Sequence, residues 1–394
     1  MCAVQVPHQT WLRWAVVHPL IKPELQEKAR IYTRKKDLLN LVGLSISGIY
    51  LIAFQASGIS HGAASNAVHL LLPAAVFIYL LSFLPLACIL FPISYMRDYI
   101  LERRFGLSSQ SLKSWLLDQV KASMLGILLG YPLLLLLFYL FANAPHTWWL
   151  FGVCGLILFQ LIITIVFPIL LLPVFFKQRP IEDEDLRKSI RGLFSRAHIK
   201  ISDVFTFNLS SKTKKENALI TGLWKTRRVL LGDTLLQNRS REQVLVVLAH
   251  EIGHQLKQHM LKRAIIGTAA SFILLFTVHK IMVNFPGFPE DIHTALTLFP
   301  LFILITGLLS FPIRIGENAY SRTKEREADR IALELTEDPG SFITVMADLA
   351  NTNLALAYPK KFRVILAYSH PPIGDRIRFA QKMEKTSSFH KSSS

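Results

Sequence analysis

The sequence has 394 residues, of which 51% are hydrophobic and only 18% charged. A soluble globular chain carries about 25% charged residues, so this one lacks the polar surface to dissolve and is far too apolar for intrinsic disorder. Three cysteines, Cys2, Cys88 and Cys154, cannot staple a chain of this size, and the net charge of +17 points first to nucleic acid, a reading the placement of the cations must decide.

A membrane-spanning helix needs about 20 mainly apolar residues, and six stretches qualify: roughly 38–58, 67–96, 122–143, 148–176, 264–284 and 292–313. Residues 1–37 form a polar N-terminal segment without the long apolar core of a signal peptide. The second and fourth stretches exceed the bilayer's need and carry Pro73, Pro85, Pro92, Pro168 and Pro173, so tilt or kinks are expected there. The short turns at 59–66, 144–147 and 285–291 contain no Lys or Arg. Segments 1–37, 97–121, 177–263 and 314–394 hold 43 of the 44. With six spans every basic segment falls on one face. Both termini and all large polar segments are therefore predicted cytoplasmic, and the charge is a topology signal. No zinc-finger, recognition-helix or aromatic-basic pattern accompanies it, so no nucleic acid partner is expected.

The segment 177–263 reads as a small α/β unit. An acidic helix start at Glu182–Asp185 leads into LRKSIRGLFSRAHI, and VFTFNL (204–209) reads as a strand. Residues 217–224 and 228–231 flank the turn Lys225-Thr226-Arg227 as a hairpin. Ser240 with Gln243 makes a capping box before the apolar helix VLVVLAHEIGHQL, which could continue into the fifth span. The stretch 314–382 opens with the helix ENAYSRTKEREADRIALEL, broken at Asp338-Pro339-Gly340 and followed by a helix at 341–357. The tail 383–394 reads as disordered.

On the capped helix lies His250-Glu251-Ile252-Gly253-His254, an H-E-x-x-H motif. At about 100° per residue the two histidines stand about 40° apart, one turn from each other, and can grip one zinc ion. Glu251 falls beside that ion, where a general base for a metal-activated water belongs. A chance match in a chain with 13 histidines is on the order of one or two in a hundred. A buried His-Glu-His set without a metal would also be costly. A catalytic zinc wants a third protein ligand. Glu325 and Asp329, at i and i+4, share a helix face with Asn318. One carboxylate could ligate while the other orients a ligating histidine. By spacing alone, Glu325, Glu327 and Asp329 could equally be solvated partners of Arg322, Lys324, Arg326 and Arg330.

His250–His254 together with Ser321–Asp329 resembles the H-E-x-x-H plus S-R-x-x-E-x-x-A-D signature of gluzincin membrane proteases. Tyr99–Leu107 (YILERRFGL), Ser369–Arg376 (SHPPIGDR) and the stretch 217–236 narrow the likeness to the type I CAAX prenyl endopeptidases, over about residues 22–382. The resemblance implies a mainly α-helical membrane protein, its helices ringing a large chamber, with a small cytoplasmic α/β metalloprotease unit. It implies one zinc ion held by His250, His254 and Glu325, with Glu251 as base and proton shuttle. Asp329 takes the place of the carboxylate behind the ligands, and Asn318 that of an active-site asparagine. His370 corresponds to the residue that stabilises the transition state and Arg376 to the arginine that meets the substrate's C-terminal carboxylate. Asn217 and Ala218 begin an edge strand that pairs with the substrate backbone. Eukaryotic members have seven spans. Here only about 20 residues precede Ile21-Lys22-Pro23, too few and too polar to cross a bilayer, so six are predicted.

The expected partners are a peptide or protein substrate, prenylated or otherwise membrane-delivered, and membrane lipid, with no obligate protein partner. The expected location is the endoplasmic reticulum membrane in a eukaryote and the cytoplasmic membrane in a bacterium. Two other readings compete. One is a stress-linked quality-control protease of the same superfamily, which generally has fewer spans and lacks the Ser369–Arg376 pattern. The other is a transporter or channel, against which stand spans with almost no ionisable residue beyond His69, His279, Lys280 and His293.

Overall fold

The computed structural model describes residues 17–222, 227–288 and 291–392. Among these, five helices are long and apolar enough to cross a membrane: Pro23–Ala56, Leu84–Arg104, Leu112–Asn143, His259–Met282 and Phe299–Thr336. They expose apolar side chains outward, Leu44 at 71% and Leu308 at 75%, as a lipid-facing surface must. Inside, Tyr79, Phe138, Phe141, Trp148, Phe299 and Phe302 pack as an aromatic core.

Several boundaries differ from the sequence expectation. The first helix starts at Pro23, so its first turns lie within the polar N-terminal segment. The second expected span is broken. Leu72–Leu81 and Leu84–Arg104 are separate helices, because the Ser82 hydroxyl donates back to the Tyr79 carbonyl at 2.5 Å and Pro85 starts the next helix. The fourth is a 19-residue helix, Trp148–Val166, and the chain continues through a wide π turn at Phe167–Leu171 to Phe175. Pro168 and Pro173, which lack backbone donors, account for the widened turn. The sixth span and the polar helix expected after it are one unbroken helix, Phe299–Thr336, with Pro312 inside. The polar half carries no breaker before Glu337, so nothing separates it from the apolar half.

The polar α/β unit follows. Strands β1 (Gln178–Pro180), β2 (Asp203–Phe207), β3 (Ala218–Thr221) and β4 (Arg228–Gly232) form one sheet in the order β1-β2-β4-β3. β2 and β4 are parallel, while β1 and β3 run antiparallel at the edges. β1 has no sequence signature, being three residues around a proline. The β3–β4 hairpin is present as expected, although residues 223–226 of its turn lie outside the described residues. Asp183 caps the helix Glu184–Arg196 by accepting from the Leu186 N–H at 2.8 Å. Ile190, Phe194, Val204, Val229, Leu248 and Phe342 bury the interior of this unit. Pro339–Thr352 and Lys361–Ala367 are further helices, the second unforeseen. The closing helix Ile373–Ser392 runs through the tail for which composition predicts disorder, carried on by helix formers such as Gln381, Lys382, Met383 and Glu384.

The Tyr99–Leu107 motif forms a clamp. Glu102, buried at 9% exposure, accepts from Lys36 Nζ at 2.7 Å and Lys215 Nζ at 2.9 Å, and Tyr32 also donates to it. Just beyond, Ser109 N donates to Lys212 O at 3.2 Å and Lys214 N to Leu107 O at 3.0 Å. The membrane helices thereby hold the loop that delivers the chain into β3.

Candidate active site

Ser240 caps Arg241–Leu256 through the full capping box with Gln243. Val244, Val246, Leu248, Ala249 and Ile252 bury its apolar face, which turns His250, Glu251 and His254 toward the helix Phe299–Thr336. The crossing is close because residue 253 is glycine. A Cβ there would lie 2.8 Å from Ala328 Cα and 3.1 Å from Ala328 O. Ala328 is fully buried, and the same turn carries Glu325 and Asp329.

This crossing assembles the predicted triad. His250 Nε2 and His254 Nε2 lie 3.2 Å apart; Glu325 Oε2 is 3.3 Å from the first and Glu325 Oε1 3.5 Å from the second. His250 Nδ1 faces Asp329 Oδ1 at 2.9 Å. On a neutral His250 the ring hydrogen therefore belongs on Nδ1, which frees the Nε2 lone pair for a cation. Glu325 Oε2 is buried and has no hydrogen-bond partner. Lone pairs converging on one point, with an orphaned buried oxygen among them, are the donor set of a cation. The spacing suits a tetrahedral ion with bonds of about 2.0–2.1 Å, whose ligand–ligand edges are about 3.3–3.4 Å. Among the described residues these three form the one group of His, Cys, Asp or Glu side chains placed to hold a metal.

The surroundings polarise the site. Burial favours a neutral His250, but the carboxylates of Asp329 and Glu325 prevail and raise its pKa to about 9. Burial and the neighbouring His250 push His254 down to about 4. Burial raises the Glu251 carboxyl above its ordinary value, against the pull of His250. A cavity of about 670 Å³ opens from the triad between the helices 148–166, 259–282 and 299–336, lined by Glu251, His259, Arg263, Tyr320, Lys324 and His370 among others.

The remaining predicted residues fall as follows. Asp329 is buried at 1% exposure, between His250 and Arg376. His370 lines the cavity with Nε2 3.3 Å from Glu325 Oε1, and its Nδ1 meets Ser369 Oγ at 2.9 Å. β3 begins at Ala218 and is the edge beside the H-E-x-x-H helix, while Asn217 precedes it and accepts from Gly232 N at 2.9 Å. Asn318 is half-buried on the third-ligand helix, where Glu317, Tyr320 and Ser321 rather than Asn318 face the cavity. Arg376 departs from expectation. Its Nε and Nη2 bond Asp329 at 2.8 and 2.5 Å, and Nη2 also lies 3.4 Å from His250 Nδ1. It stands behind the ligands and does not line the cavity, so the geometry favours fixing Asp329 over meeting a substrate carboxylate.

Sequence reasoning missed three supports. Gly253 permits the helix crossing. Arg322 donates to the carbonyls of Val364 and Tyr368 at 3.0 and 2.6 Å, holding the loop before His370. His259 contacts His254 across a break in the helix at Gln258, whose φ of 52° is left-handed. The adjacent motifs were visible; the close approach and the break were not.

Two family models match in tandem. One, CAAX prenyl protease N-terminal, five membrane helices, covers residues 9–177, and the other, peptidase family M48, covers residues 180–384. The uncharacterized metalloprotease YhfN of Bacillus subtilis is 26% identical over 92% of this chain and 87% of its own. CAAX prenyl protease 1 of Saccharomyces cerevisiae is 28% identical over 73% of this chain and 67% of its own. The crystal structure of S. mikatae Ste24p superposes with a TM-score of 0.81 at 24% identity, covering 93% of this chain and 91% of that one. A transporter or channel reading falls away, for this chain belongs to peptidase family M48 and is a multi-pass membrane metalloendopeptidase.

Proposed function

We propose that the chain is a zinc endopeptidase that cuts a peptide bond near the C-terminus of CAAX-type, prenylated or similarly membrane-delivered substrates. Its site would face the cytoplasm, in the endoplasmic reticulum membrane of a eukaryote or the cytoplasmic membrane of a bacterium. The observation that carries the reading is the convergence of His250, His254 and Glu325 on one point, with Glu325 Oε2 buried and unpartnered. Two imidazoles and a carboxylate suit zinc and leave its fourth position open. The similarity to CAAX prenyl proteases over 73% of the chain, together with the Ser369–Arg376 motif, supports this substrate class over general quality-control proteolysis. The concentration of Lys and Arg in segments 1–37, 97–121, 177–263 and 314–394 supports the orientation.

When bound, the ion supplies Lewis-acid polarisation of water and of the scissile carbonyl. Glu251 takes the water's proton, holds it on a carboxyl whose proton affinity burial has raised, and delivers it to the leaving amine. His370, in the cavity wall, donates toward the oxygen on which charge develops. The edge of β3 offers backbone groups to an extended substrate, and the cavity between the helices receives an apolar substituent. Asp329, clasped by Arg376, keeps the hydrogen of His250 on Nδ1.

The test is Glu251→Gln in purified, detergent-solubilised protein, which keeps one zinc per chain and loses cleavage of a CAAX peptide. Cleavage by that variant refutes the base assignment. The same peptide with and without its farnesyl group decides the substrate class, and equal kcat/KM for the two removes prenyl recognition.

A further inference from the structure

We propose that His259 and Glu327 form a relay that orients His254 and fixes which of its nitrogens faces the metal. The inference rests on the zinc-site reading above and extends it to His259 and to Glu327, which by spacing alone could equally be a solvated partner of the neighbouring cations.

His254 presents Nε2 to the triad's centre, so as a neutral ligand it carries its hydrogen on Nδ1. That Nδ1 lies 2.9 Å from His259 Nδ1. His254 therefore donates and His259 accepts, which leaves the His259 hydrogen on Nε2. There it meets Glu327 Oε2 at 3.0 Å, while Lys324 Nζ donates to Glu327 Oε1 at 2.6 Å. Every donor and acceptor along the chain His254–His259–Glu327–Lys324 is matched in one tautomeric arrangement only. His259 is 2% exposed in the wall of the cavity, so most of its surface is taken up by protein neighbours.

The backbone is bent to make this contact. In a continuous helix, His259 at i+5 would point about 140° away from His254. The helix instead stops at Leu256. Gln258 takes a left-handed φ of 52°, and His259 opens the next helix facing back toward the site. A non-glycine residue in that region costs on the order of 1–2 kcal/mol, offset here by the buried contact. His250 is held directly by a buried carboxylate, whereas His254 is held through a neutral ring by a carboxylate that is 38% exposed and shared with Lys324. His259 and Glu327 are thus positioning residues, and their loss should weaken the metal less than loss of Asp329.

Zn²⁺ and Co²⁺ affinities, measured by chelator competition on the purified full chain in detergent, test the relay. His259→Ala should bind both ions about 10–100-fold more weakly, with an altered Co²⁺ absorption spectrum. His259→Asn should recover most of the affinity, since its amide oxygen takes the place of Nδ1 as acceptor. Glu327→Ala, at a half-exposed site that leaves folding intact, should lose several-fold, and Glu327→Gln less. The relay is refuted if His259→Ala binds within twofold of wild type, if Asn restores nothing, or, should His259→Ala not fold, if Glu327→Ala leaves affinity unchanged. Wild-type protein that binds no metal would instead overturn the zinc-site reading itself.

Discussion

The change Gly253→Ala probes the crossing that builds the site. The new Cβ would stand 2.8 Å from Ala328 Cα, 3.1 Å from its carbonyl oxygen and 3.3 Å from its Cβ. Carbon atoms sit comfortably at about 3.5–4.0 Å, so the two helices must part by about 1 Å. The obstructing atoms are mainly backbone and cannot rotate aside. Overpacking of this kind costs about 1–3 kcal/mol. Metal ligands tolerate only about 0.2 Å of misplacement, and Glu325 rides on the helix that has to move. Alanine is the better helix former by about 1 kcal/mol, so the isolated helix would be strengthened and only the crossing harmed. The expected outcome is unchanged far-UV circular dichroism, metal affinity reduced at least tenfold (about 1.4 kcal/mol) and peptide cleavage reduced at least in proportion. A variant with metal affinity within threefold of wild type would refute the claim that this contact sets the ligand geometry.

Other outcomes follow from the same arrangement. In chelator-stripped protein, His250 is raised to about 9 and His254 lowered to about 4. His250 then stabilises the fold below its unfolded value of about 6.5 and loses that contribution as pH rises toward 9, while His254 resists the proton that unfolded chain accepts below about 6.5. Thermal stability of the stripped protein should therefore peak near pH 6.5 and fall on both sides, and a flat profile between pH 4.5 and 9 would contradict both shifts. Arg239, 3% exposed, pairs with Glu216, 1% exposed, at 2.7 Å. Arg239 also donates to Asp348, so Glu216→Ala leaves the buried cation one of its two partners and should destabilise by about 1–3 kcal/mol in denaturant titration, and no measurable loss would show the pair to be solvated. Glu102→Leu unties Lys215 from the membrane helices. It should raise KM for peptide with zinc content unchanged, and a pure kcat effect would place the residue elsewhere in the mechanism.

What the sequence disclosed follows from periodicity. His250 and His254 one turn apart, Glu325 and Asp329 one turn apart, and the Ser240–Gln243 cap are local patterns, and the structure brings them together as their spacing implies. The apolar runs were readable for the same reason, although the second is divided at Ser82 and Pro85 and five helices among the described residues are long enough to cross a membrane. What stayed hidden depends on partners distant in sequence. β1 exists because β2 accepts it, not because Gln178–Pro180 favours a strand. The break at Gln258 leaves no composition mark. The pairing of Arg376 with Asp329, 47 residues away, leaves no local mark in the sequence. The continuity of 299–336 was lost because a change from apolar to charged residues reads as a boundary while the backbone has no cause to stop.

That continuity has a mechanical consequence. A helix of 38 residues is a rod about 57 Å long at 1.5 Å per residue. Glu325 lies 26 residues along it, about 39 Å from Phe299. Against a hydrocarbon thickness of about 30 Å, an upright rod starting at the far boundary carries Glu325 about 9 Å beyond the near one, the reach of roughly three extended residues. The height of the metal site above the bilayer would then be set by the length of this one helix, with Pro312 as the point where it can bend.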